Sequence, residues 1–322
     1  MPADSTFVVS AEEVGETLAA LVRRRGLATT WNEARKLVST GKLSVDGRLE
    51  TDPVSRPRAG ASVALAMRAR RVEPEVAGRL VHDDPQIVVF DKPAGVSSVP
   101  YEEREGGTAM DLIRAHWRRA GRSASDVPLH VVHRIDKDTS GLLAFAKTKT
   151  AERALGTLFR AHDIQRTYLC VVHGQLTDRR IESHFIEDRG DGLRGSIEAR
   201  FARSPGLRQG PTGHPGQGKR AVTHVRAIEP IGRGAMLCEV RLETGKTHQI
   251  RIHLSENGHP LVGERVYIRD YVNGGAEPLP SPRLLLHAAT LGFAHPHDGR
   301  PVQFESPMPM EFLAAIDALR RC

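Results

Sequence analysis

Apolar residues recur at helical spacing early in the chain. Val14, Leu18, Leu21 and Val22 share one face of residues 12–25, and Arg23-Arg24-Arg25-Gly26 adds a cationic last turn and a stop. Trp31, Ala34, Leu37 and Val38 mark a second helix over 31–40, with Asn32 or Thr30 as its cap and Gly41 behind it. In LSVDGRLE, the Asp46-Gly47 pair predicts a tight hairpin turn, and a short strand follows at 63–65. Two short helices and a small hairpin make an α-α-β module. Arg68–Arg71 followed by Pro74 reads as the start of a linker.

From about residue 79 the pattern turns strand-like. Ile87–Phe90 is a short apolar run ending in Lys92-Pro93-Ala94-Gly95, a buried strand leading into a turn. A helix is expected at 108–119, strands at 129–132 and 142–146, and a helix at 150–160 with Ala154, Leu155, Leu158 and Phe159 on one face. Further strands are expected at 167–173, 220–228 and 236–242, the last by strict alternation. Residues 188–218, rich in Gly, Arg and Pro, predict an exposed, mobile loop. Strands outnumber the helices a regular β-α-β alternation needs. The class is therefore α+β, with a mixed, mostly antiparallel sheet.

Composition narrows the picture. The 322 residues favour about two domains, and 39% hydrophobic content is enough to fill their cores. No run of about 18 apolar residues predicts a membrane span, and the start lacks the basic-then-apolar pattern of a secretory signal. Cys170, Cys238 and Cys322 lie too far apart for a C-x-x-C pair, which argues for a reducing, cytoplasmic setting. The net charge of +7 favours a polyanionic partner. Residues 1–71 carry 12 Lys/Arg against 8 Asp/Glu, so just over half of that excess sits in the first module. The expected division is 1–71, a linker at 72–78, and a larger domain over 79–322.

The densest chemistry is His133-Arg134-Ile135-Asp136-Lys137-Asp138-Thr139-Ser140-Gly141, between two apolar strands. By composition it is either an active-site loop or a solvated turn whose charges pair with each other. HRIDKDTSGLLAFAKT resembles the signature of the RluA-type pseudouridine synthases. Five further segments occur in that family's order across about 80–310: LVHDDPQIVVFDKPAGV, QRTYLCVVHG, GKRAVTHVRAI, TGKTHQIRIHLSENGHPLVGERVY and LLLHAATLGFAHPHDG. WNEARKLVSTGKLSVDGRLETDP resembles the S-four type RNA-binding module, which makes 1–71 an expected RNA-binding domain.

The resemblance implies that Asp136 is the nucleophile, Tyr168 the active-site tyrosine and Arg251 the basic partner of the aspartate, with Arg134 filling the gap left by a flipped base. Leu254, one turn beyond Arg251, is either a wall of the base pocket or a plain core leucine. Lys92 is expected to support its turn. Arg35, Lys36, Lys42 and Arg48 form the expected phosphate-contacting group. Thr247 is a candidate cap for a helix over 248–256 that would hold Arg251. Two departures stand out: Glu264 replaces the family's usual aspartate in G-D-x-x-Y, and Arg166 replaces its usual lysine.

Uridine-to-pseudouridine isomerisation oxidises nothing and transfers nothing between molecules, so neither a redox cofactor nor a metal is expected. The base must leave its stack, at a few kcal/mol. The expected partner is structured RNA, ribosomal rather than transfer RNA, bound by a monomer. Two other readings compete. One is an RNA-binding or ribosome-assembly protein that has lost the chemistry. The other is a metal-dependent hydrolase built on His248, His253 and His259 or on His295 and His297.

Overall fold

The computed structural model describes residues 4–67, 69, 76–101, 105–123, 127–199 and 218–321, and the chain divides into two units, Met1–Val76 and Ala77–Cys322. Most of the expected 72–78 linker lies outside the described residues.

In the first unit, strands β1 (Ser5–Val8), β2 (Leu43–Val45), β3 (Arg48–Glu50) and β4 (Ser62–Leu65) form a sheet in the order β1-β4-β2-β3. Helices α1 (Leu18–Arg24) and α2 (Trp31–Ser39) supply Leu18, Leu21, Val22, Ala34 and Val38 to its core. Each helix starts on a threonine: Thr17 Oγ1 accepts from Ala20 N–H, and Thr30 Oγ1 from Glu33 N–H. The expected first helix therefore begins at Leu18. The residues before it form a short 3-10 turn at Ala11–Glu13 instead.

The second unit is built on one 11-stranded sheet. Its strands are β5 (Arg79–Asp83), β6 (Ile87–Lys92), β7 (His130–Val131), β8 (Ser140–Ala146), β9 (Gln165–His173), β10 (Arg179–Ile186), β11 (Gly195–Ser196), β12 (Lys219–Ile231), β13 (Ala235–Leu242), β14 (Leu286–Ala294) and β15 (Pro301–Glu305). The main order is β11-β10-β12-β13-β9-β14-β8-β6-β5, with β15 on β14 and β7 on β8. Among the described pairings only β14 with β8 is parallel, as the α+β reading expects. Helices α3 (Ala109–Arg119), α4 (Lys149–Ala161), α5 (Gln249–Glu256), α6 (Arg269–Asn273) and α7 (Met310–Arg320) complete the unit. Among these helices none is long and apolar enough to cross a membrane.

Apolar side chains bury on both faces of this sheet. Val88, Phe90, Leu143, Phe145 and Trp117 pack on one side, and Ile87, Val89, Leu142 and Leu155 on the other. That is why β6 and β8 read as continuous apolar runs rather than alternating ones. The expectation of an exposed loop over 188–218 needs correction. Arg189 is fully buried among Asp191, Glu256 and Asp270, at 3.0, 3.5 and 3.3 Å, and Ser196 pairs with Phe185. Three carboxylates offset the desolvation of its guanidinium, which draws 188–197 inward. Residues 200–217 lie outside the described residues.

Candidate active site

The segment 132–139 joins β7 to β8, and its neighbours hold it from three sides. His133 Nε2 accepts the Ala144 N–H at 3.0 Å, and its ring stacks on Phe159 with centroids 4.6 Å apart. Burial pushes the His133 pKa down to about 3, so the ring is neutral and structural. Ser98 Oγ donates to Ile135 O at 2.7 Å and accepts the Ile135 N–H at 3.2 Å. The buried Lys92 ammonium donates to Pro93, Val96 and Lys137 carbonyls at 3.1, 2.7 and 2.9 Å, fastening the Lys-Pro-Ala-Gly turn to the loop. Its burial lowers the pKa to about 7.

Gly141 closes the loop where β8 meets β14. Its φ is +108°, and a Cβ there would lie 2.2 Å from Ala288 O. No other residue fits that approach. Asp136, directly after the anchored Ile135, faces a cleft of about 760 Å³. A volume of this order suits one nucleotide.

Opposite Asp136 stands α5. Its anchor is Gln249, whose Nε2 donates to Val222 O and Thr223 Oγ1 at 2.9 and 3.0 Å, while its Oε1 accepts from Thr244 Oγ1 and Lys246 N–H. The expected cap, Thr247, is not used. His248 occupies the cap position with φ +57°, a conformation that turns its ring into the cleft. Its Nδ1 lies 2.8 Å from the Tyr267 hydroxyl and its Nε2 lies 4.0 Å from Asp136 Oδ1. Burial holds the His248 pKa below the usual histidine range, against the pull of Asp136.

Arg251 lies one turn into the helix. Its Nη1 is 3.8 Å from Asp136 Oδ2, but its shortest bonds go to Glu264, from Nε at 2.7 Å and Nη2 at 2.8 Å. Glu264 Oε1 also accepts the N–H groups of Arg265, Val266 and Tyr267. Burial opposes ionisation of Glu264, yet these donors hold its pKa below the ordinary carboxylate value. Gly263 permits the turn, since at φ +83° its Cβ would sit 2.0 Å from Arg283 O.

Tyr168 reaches the cleft from β9, between Val240 on β13 and Ala288 on β14. Burial raises its hydroxyl pKa, so the phenol keeps its proton at neutral pH. Arg134 is exposed on the cleft wall, and Arg166, buried with its guanidinium over Phe159 at 5.8 Å, lines the same space. Asp136, Tyr168 and Arg134 thus line one cleft, with His248 added, while Arg251 is buried behind Asp136 and meets it without lining the space. Leu254 is not on its wall. It is fully buried in the core beneath Ile250, which takes the lining position, because residues four apart on α5 sit one above the other.

The histidines of the competing hydrolase reading point apart. His253 is buried between Thr223 and Ser183, and His259 Nδ1 bonds to His173 O, while His248 alone faces Asp136. Within the first unit, Arg35, Lys36 and Arg48 are exposed, whereas the Lys42 ammonium donates to Met67 O at 2.9 Å and to Ala69 O.

The sequence model of the family described as RNA pseudouridylate synthase matches residues 86–256, just over half of the chain. The Ribosomal large subunit pseudouridine synthase D of Zymomonas mobilis subsp. mobilis is 35% identical over 304 residues, covering 91% of this chain and 89% of its own. The protein of the same name from Pseudomonas aeruginosa is 32% identical, covering 88% and 86%. Two solved human structures share the fold: RNA Pseudouridylate Synthase Domain Containing 1, with TM-score 0.55, 23% identity and coverage of 77% and 90%, and Domain Containing 4, with TM-score 0.54, 20% identity and coverage of 75% and 92%.

Proposed function

Because this chain belongs to the RNA pseudouridylate synthase family, we propose that it isomerises specific uridines of large-subunit ribosomal RNA, with Asp136 as the nucleophile. The observation that carries the mechanism is the cleft lined by Asp136 and the buried Tyr168, with the Arg251 guanidinium 3.8 Å from the Asp136 carboxylate. The reaction needs an ionised carboxylate to attack sugar or base, or to take a sugar proton, and Arg251 supplies the compensating charge. Held by Glu264, that charge is pre-set rather than recruited by substrate. Tyr168 offers a ring for the flipped uracil to stack on and a proton-bearing hydroxyl. Arg134, exposed at the cleft wall, is placed to occupy the space the base vacates.

The ribosomal substrate follows from the names of the relatives and from the charge of residues 1–71, where Arg35, Lys36, Arg48 and, more weakly, Lys42 would meet phosphates as an S-four type module. The same reading makes the protein a cytoplasmic monomer that needs no metal for its chemistry. Pseudouridine mapping of ribosomal and transfer RNA from cells with and without the gene tests it. Loss of one or a few sites in large-subunit RNA, restored by the wild-type gene, is the expected result. Loss confined to transfer RNA would overturn the substrate, and no loss anywhere would favour a silent RNA-binding protein.

A further inference from the structure

At the end of the sheet remote from Asp136, three potential donors converge. His82 Nε2 lies 2.7 Å and His295 Nε2 2.8 Å from the same oxygen, Asp84 Oδ2, and all three atoms lie within 4.8 Å of one another. Lys92 pairs with Gly141 at the catalytic end of β8 and Ile87 with Ala146 at the other. At about 3.3 Å per residue this separates the cluster from the cleft by roughly 20 Å. We propose that His82, Asp84 and His295 bind one divalent transition-metal ion of the zinc type.

Local geometry aims each donor. In a regular strand Val81 and His82 would face opposite sides. Here the β5–β6 register slips between Leu80 and His82, so both residues reach the same face: Val81 packs in the cluster that contains Phe304, and the His82 ring lies 5.1 Å from the Phe304 ring. The bulge therefore turns His82 toward Asp84. Asp84 Oδ1 is occupied by the Gln86 and Ile87 N–H groups at 2.7 and 2.9 Å, which fixes the carboxylate and leaves Oδ2 to the imidazoles. His295 is 5% exposed, and its Nδ1 lies 3.5 Å from Asp298 Oδ1. That is the placement of an outer carboxylate that orients a metal-bound histidine and accepts its second N–H.

Two imidazole nitrogens and one carboxylate oxygen are a donor set suited to zinc, at about 2.0–2.2 Å from each, with water in the fourth position. Donors on such a tetrahedron stand about 3.3 Å apart, so the hydrogen-bonded separations must widen by a few tenths of an ångström. His82, with 29% of its side chain exposed, has room to move. The His295 Nδ1 contact with the His297 N–H, long at 3.3 Å, gives way to donation toward Asp298.

The position also gives an ion something to hold. Strand β14 runs beside β8 only at His287 and Ala288, then turns to pair with β15. The cluster joins the separated arms, with His82 and Asp84 from the β5–β6 side and His295 from the end of β14. A bound ion would clamp that split.

Chelator-treated full-length protein, titrated with zinc chloride by calorimetry and with cobalt chloride in the visible range, tests the site. Wild type should bind one equivalent of zinc and develop the d–d absorption of a low-coordinate cobalt centre, and its melting temperature should rise with zinc. His82→Ala and His295→Gln should lose all three responses, while Asp298→Asn should bind about tenfold more weakly. His82→Ala removes a partly exposed ring and tests the site even if His295→Gln folds poorly. Absence of saturable binding in wild type, or equal binding by wild type and His82→Ala, would overturn the proposal. The readout is independent of RNA, so its failure leaves the ribosomal reading untouched.

Discussion

Arg251 and Glu264 form a two-pronged ion pair at 2.7 and 2.8 Å, while the same guanidinium stands 3.8 Å from Asp136. The cation is therefore held in place by a buried partner and presented to the Asp136 carboxylate with a nitrogen to spare. Glu264→Gln keeps the shape and removes the charge. It should lower kcat by about tenfold or more, with a smaller effect on KM, because positioning acts on the chemical step. Glu264→Ala should also cost about 3–5 kcal/mol of stability by leaving a buried guanidinium unpaired. Steady-state kinetics and urea melts check both. Unchanged kcat in Glu264→Gln would refute the positioning role.

Asp136→Asn should abolish pseudouridine formation while RNA affinity changes by about twofold or less, since one carboxylate at the cleft makes no phosphate contact. Tritium release from labelled uridine and filter binding separate the two effects. A large loss of affinity would place Asp136 in binding rather than chemistry.

Gly141→Ala puts a Cβ 2.2 Å from Ala288 O, at a φ of +108°. Backbone strain and overpacking together should cost about 3 kcal/mol. Because the residue ends the loop that carries Asp136, activity should fall even where the variant remains folded. Thermal melts and turnover at low temperature distinguish these outcomes, and a variant of wild-type stability would show that β14 can move away.

His133 is half-buried and His253 buried, and desolvation pushes their pKa values down to about 3 and about 4 from 6.5. The unfolded chain then binds protons that the folded chain refuses. Stability should be fully present above pH 6.5 and fall as pH drops from 6.5 toward 4, by up to about 1.4 kcal/mol per pH unit for each ring. Urea midpoints between pH 7.5 and 5 measure this. Stability that rises on acidification would contradict it.

Arg35→Ala, Lys36→Ala and Arg48→Ala should each weaken RNA binding and reduce the salt-dependence slope by about one. Lys42→Ala should act differently, since its ammonium already caps Met67 and Ala69 carbonyls. Its main effect should be on the stability of residues 4–67. Trp31 is 44% exposed and Trp117 only 1%, so fluorescence quenching by RNA reports on the first unit. A Lys42→Ala slope change equal to that of Arg35→Ala would show that the internal bonds open on binding.

The sequence alone determined the class and most elements and, through the resemblance, pointed to the candidate residues around Asp136. The apolar runs at 87–90 and 142–146 are strong because both sheet faces are buried, and the HRIDKDTSG segment carries its chemistry in adjacent positions. Less was legible where local pattern is weak: β10 and the helix Met310–Arg320 were not foreseen, and 188–199 reads as polar loop because its buried arginine is hidden by remote carboxylates. Tertiary structure decided the rest. That Glu264 holds Arg251, that His248 rather than Thr247 begins the helix, that Leu254 lies behind Ile250, and that His82, Asp84 and His295 meet all depend on contacts between distant segments. Periodicity reports which face of an element is buried. It carries no information on which partner, 211 residues away in the case of Asp84 and His295, the buried group will find.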